Sequence, residues 1–111
     1  MKNKIITLLA AISAIICITG CQTVDVTKTA KGFHSPTNPN ELEIFMTRPE
    51  RSYEELGTVI ARGFSASDTA KMHNAIRAKA APLGASGVVL TGVGIDANNR
   101  QYAIGVAIAW K

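Results

Sequence analysis

The sequence predicts an α+β fold: a single four-stranded, mainly antiparallel sheet with one helix packed on one face, in the order ββαββ. A signal peptide and a flexible tether precede it. Three observations predict this. Residues Gln101 to Trp110 alternate large and small side chains with a period of two, as a strand requires. Met72, Ile76, Ala80 and Leu83 recur at the spacing of one buried helical stripe. Finally, Ile5 to Ile18 is an almost unbroken apolar run behind Lys2 and Lys4, which has the form of a secretory leader.

That leader is the first element. Its apolar core of 14 residues falls short of the roughly 20 needed to cross a bilayer as a helix. It ends in Ile18-Thr19-Gly20-Cys21, an aliphatic residue, a small hydroxyl residue, glycine and cysteine. The order closely resembles the lipobox of bacterial lipoprotein precursors. The resemblance implies cleavage before Cys21, a diacylglycerol on its sulfur and a further acyl chain such as palmitate on its new amino group. Three chains at about 0.8 kcal/mol per buried methylene make an effectively permanent anchor. Gln22 stands where enteric lipoproteins kept in the inner membrane carry aspartate. The expected address is therefore the inner leaflet of the outer membrane, facing the periplasm.

Residues 21–40 are expected to be the lipidated cysteine and a tether. Thr, Lys, Gly, Pro and Asn dominate from Gln22 to Asn40, and a coil of that length averages roughly 25 Å from end to end. Phe33-His34 stands out within it as an alternative docking peptide. One folded domain is expected over residues 41–111, and its core is thin.

Within that domain, Leu42 to Thr47 alternates well enough for a strand and stops at Arg48-Pro49, where proline removes a donor. Tyr53 to Ala61 reads as a second strand. Ser65 or Ser67 is expected to cap the helix, with Asp68 favourable at the positive end of its dipole. The helix should run to about Pro82-Leu83-Gly84. Val88 to Val93 forms a third strand, and Asp96 to Arg100 a turn whose Asp and Asn residues tolerate left-handed backbone.

In the last strand the large set is Tyr102, Ile104, Val106, Ile108 and Trp110, and the small set is Ala103, Gly105, Ala107 and Ala109. Apolar residues on both faces mark an interior strand. The large set is expected to face the helix, leaving the small set as a flat surface open to association.

The run Tyr53-Glu54-Glu55-Leu56-Gly57-Thr58-Val59 and the later Ala80-Ala81-Pro82-Leu83-Gly84-Ala85-Ser86-Gly87-Val88-Val89-Leu90 resemble a superfamily of small bacterial domains. Its members include uncharacterised lipoproteins, the heavy-metal-binding YbjQ-like family and the surface-stress lipoprotein of the Rcs phosphorelay. The resemblance spans about Tyr53 to Trp110 and rests on structural glycines and core positions. The Rcs sensor depends on disulfides in this domain, and this chain has no cysteines there to form them.

Composition narrows the function classes. Of the two cysteines, Cys17 lies in the leader and Cys21 takes the lipid. The mature chain then has no thiol, and with it no cysteine nucleophile or cysteine metal site. Removing Lys2 and Lys4 leaves ten basic residues against eight acidic, a net of +2. No basic cluster remains, so no nucleic-acid partner is expected. At 5% aromatic the chain lacks a platform for stacking sugars or bases.

No catalytic constellation is visible. Ser65, Ser67 and His73 lie close in sequence, but capping explains the serines and there is no nucleophile elbow. Met46, Met72, His73 and His34 are candidates for a soft-metal site, although such a site needs three or four converging ligands. Gly92-Val93-Gly94-Ile95-Asp96 echoes a nucleotide loop, but it leads into a hairpin instead of the helix that would hold phosphates. Glu54-Glu55 reads as a solvated strand entrance.

The expected function is that of a non-enzymatic envelope lipoprotein with no cofactor and no metal. Its partners are the membrane, through Cys21, and either a second copy or an envelope protein. The alternative is a periplasmic domain that binds a small ligand or heavy metal.

Overall fold

The computed structural model describes residues 22–111; the segment expected to be a leader and Cys21 lie outside them. The strands are β1 (Thr23–Lys28), β2 (Glu43–Phe45), β3 (Tyr53–Ser65), β4 (Gly87–Ile95) and β5 (Arg100–Trp110), with helix α1 (Thr69–Ala80) between β3 and β4. Among the described residues the class is α+β, with one sheet and one helix. The sheet has five strands, however, in the spatial order β1-β3-β5-β4-β2. β1–β3, β3–β5 and β5–β4 are antiparallel, while β4–β2 is parallel.

The additional strand comes from the segment expected to be a tether. Thr23 to Lys28 pairs along β3 from Arg62 to Gly57. The chain beyond it stays attached: the amides of Thr29 and Ala30 both donate to the Leu56 carbonyl. The Thr37 amide donates to the Ala81 carbonyl at 3.0 Å, and its hydroxyl donates to that of Ala85. Thr23-Val24-Asp25-Val26-Thr27 alternates polar and apolar residues, and Val24 and Val26 pack against the core. Their burial and the ladder hydrogen bonds offset the entropy of ordering the segment.

Gly57 and Gly84 are the points where this segment docks. A Cβ on Gly57 would lie 2.4 Å from the Thr27 carbonyl oxygen. Gly84 ends the helical stretch in left-handed conformation, φ 86°, and a Cβ there would lie 2.5 Å from that of His34. Only glycine satisfies either position.

Helix α1 buries Met72, Ile76 and Ala80 as expected, and a 3-10 turn, Ala81–Leu83, continues it. Asp68 stands at the N-cap position but makes no side-chain cap bond. The expected serine caps are absent: Ser65 ends β3, Ser67 precedes the N-cap position, and the two pair with each other, Oγ to Oγ, at 3.1 Å. Asp96 organises the β4–β5 turn by accepting from the amides of Asn98 and Arg100 at 2.9 and 3.0 Å. Asn99 there is left-handed, φ 59°.

β5 is the central strand, as its two apolar faces implied, but the expected assignment of those faces is reversed. Ala103, Ala107 and Ala109 belong to the core beneath α1 with Met72, Ile76, Leu56 and Phe64. The large set points to the opposite face. Small residues on the central strand leave room for the large side chains of the helix and β3, so the volume comes from α1 and Phe64 and not from β5.

Candidate functional site

The large side chains of β5 form an apolar stripe along the sheet face away from α1. At one end it is roofed. Phe45 meets Trp110 edge-on, with ring centroids 5.7 Å apart, and the Arg51 guanidinium lies 4.7 Å from the Trp110 ring centroid. That geometry supports a cation–π contact. Arg48, Tyr53 and Glu55 close over Ile108, which is fully buried.

Toward the other end the roof stops. Ile104 is 42% exposed in the middle of the sheet, with Ile60 on β3 and Gly92 on β4 directly opposite it. Because Gly92 carries no side chain, it leaves one flank of Ile104 uncovered. Tyr102 reaches across Gly94, where a Cβ would lie 2.7 Å from the tyrosine oxygen.

This open face meets a free strand edge. β2 covers β4 only from Gly87 to Val89. From Thr91 to Ile95, β4 has no strand on its outer side among the described residues. Such an edge presents alternate amides and carbonyls to a further strand. It carries no charge and no proline, and a bulge at Leu90–Gly92 bends it. Met46, Val93 and Ile95 are 61%, 51% and 57% exposed. Met46 and Val93 line one shallow depression with Leu90, Thr91 and Gly92.

The residues weighed for chemistry are dispersed. Ser65 and Ser67 bond to each other. His34 Nε2 lies 3.4 Å from Glu54 Oε2, an ion pair when the imidazole is protonated, and Glu55 faces Arg48 at 4.0 Å. Met72 is fully buried in the core while Met46 is exposed. Among the described residues no group of three or more His, Asp or Glu side chains converges. Gly92 to Ile95 lies on β4 and leads into the hairpin at Asp96. His73 Nε2 is buried without a hydrogen-bond partner. Burial holds this imidazole below the ordinary histidine pKa, and Arg77 one turn on pushes it the same way.

No protein-family model and no curated protein matches the chain. Among solved structures it is similar to the crystal structure of the Francisella virulence factor FvfA in its orthorhombic form, with a TM-score of 0.62. The likeness covers 78% of this chain and 97% of that one at 12% identity. At that identity it establishes a shared α+β fold.

Proposed function

We propose that this protein is a lipid-anchored, non-enzymatic envelope lipoprotein that holds a protein partner against its open sheet face. Cys21 carries the anchor, and the outer membrane, on its periplasmic side, is the site of action. The observation behind the partner reading is Ile104, an isoleucine 42% exposed on the central strand of the sheet. Covering what remains exposed of that side chain is worth about 1 kcal/mol. The free edge from Thr91 to Ile95 adds backbone groups that an extended partner segment would use.

Crosslinking in intact cells tests the reading. A photocrosslinker at position 104 should trap a discrete adduct, either of two copies or with another envelope protein. The same probe at exposed Pro82, on the helix side, should trap less. Ile104→Glu should abolish partner co-purification while the protein accumulates normally. Equal, diffuse crosslinking from both positions would refute the interaction surface. Cys21→Ser tests the anchor separately and should release the protein from membranes or leave uncleaved precursor.

A further inference from the structure

A groove runs between β1 and α1 on the helix side of the sheet. It encloses about 260 Å³ and is lined by Gln22, Val24, Phe64, Lys71, Ala75, Ala78 and Lys79. Its floor is apolar. Lys71 and Lys79 are exposed, eight residues apart on α1, and so separated by roughly 12 Å along the helix axis. Neither belongs to an ion pair among the described residues, and no acidic side chain lines the groove.

The position of this groove follows from where the chain enters it. Gln22 is both a lining residue and the residue bonded to Cys21, and neighbouring Cα atoms lie about 3.8 Å apart. β1 begins at the next residue, Thr23, so no slack separates the anchor from the fold. Any lipid on Cys21 therefore holds the mouth of the groove at the headgroup layer of the bilayer.

We infer that this groove is the membrane-contacting surface of the domain, with Lys71 and Lys79 bound to the headgroup phosphates of anionic phospholipid. The inference rests on the anchor reading for Cys21. An ammonium near an anionic surface is drawn to it, and the attraction decays within a Debye length of roughly 8–10 Å. Two such groups beside a short anchor are enough to select one orientation. The sheet face around Ile104, on the other side of the sheet, is then turned away from the bilayer and toward the periplasm.

The test uses the mature full chain, purified from cells that express the precursor, in vesicles of phosphatidylethanolamine and phosphatidylglycerol, 3:1. Parallel vesicles are of phosphatidylcholine. With Cys21 lipidated, Ala78→Cys supplies a single free thiol for a bimane probe at the groove. Thr58→Cys supplies one on the opposite sheet face. Headgroup-spin-labelled lipid should quench the Ala78 probe several-fold more than the Thr58 probe in the anionic vesicles. Lys71→Glu with Lys79→Glu should remove that difference while the protein still floats with the vesicles.

Flotation with equal quenching at both positions would overturn the groove and leave the anchor standing. Stronger quenching by mid-chain label than by headgroup label would overturn it in favour of an acyl chain in the groove. Failure of the wild-type chain to float would overturn the anchor and the groove together.

Discussion

Ala103 and Ile104 are adjacent on the central strand and lie in opposite surroundings. Ala103 is 1% exposed beneath the helix, and Ile104 is 42% exposed on the far face. The smaller side chain is the core residue, and the larger is the one left partly open to solvent. Substitutions on the two faces should therefore separate folding from association.

Ala107, fully buried in the core under α1, should not accept a larger or charged side chain. Ala107→Leu is expected to cost about 1–3 kcal/mol by overpacking, and Ala107→Glu to prevent folding. Ile104→Glu should leave the unfolding free energy from urea denaturation within about 0.5 kcal/mol of wild type. Equal loss of stability from Ala107→Glu and Ile104→Glu would contradict the two faces.

Residues 22–40 should resist proteolysis as an integral part of the domain. Lys28 and Lys31 are exposed, yet the segment is held by β1 pairing and by Thr37. Trypsin should spare both lysines in native protein. Gly57→Val should admit cleavage there, because its side chain would strike the Thr27 carbonyl and lift β1 from β3. Early cutting at Lys28 in the wild type would show β1 to be detached.

Ile76 sits fully buried between α1 and the sheet, and its truncation leaves a cavity. Ile76→Ala should cost about 2–5 kcal/mol, a large part of the stability of so small a domain. Chemical denaturation gives the value directly. A change below 1 kcal/mol would mean the helix packs loosely.

His73 makes stability depend on pH. Its folded pKa is lowered, by burial first and by Arg77 second. The unfolded chain therefore binds the proton more readily, and stability falls as pH drops through about 6.5 and levels off below the folded pKa. His73→Phe removes both the titration and the unpartnered Nε2. It should flatten the fall in thermal midpoint between pH 7 and 5. An unchanged slope would place the titrating group elsewhere.

Local structure was largely legible in the sequence because it depends on neighbours. The helix stripe of Met72, Ile76 and Ala80, the Asp96–Arg100 turn and the central position of β5 all follow from spacing and turn chemistry that act within a few residues. The proposal for Cys21 rests on four consecutive residues that need no fold to be read, and they lie outside the described residues. Even β1 left a trace, in the alternation of Thr23 to Thr27, that the polar composition around it masked.

Which face of an element meets which partner depends on residues far away in the chain, and only the tertiary structure decided it. Period-two patterning shows that Ala103 and Ile104 lie on opposite faces, but not which face the helix takes. That was settled by the bulk of Phe64, Met72 and Ile76, which fills the space above the small side chains of β5. The same holds for Gly57 and Gly84, whose missing side chains admit Thr27 and His34 from a segment about 30 to 50 residues away. It holds too for the groove at Gln22, where β1 and α1 meet. Long-range packing under steric constraint, more than local propensity, set the site.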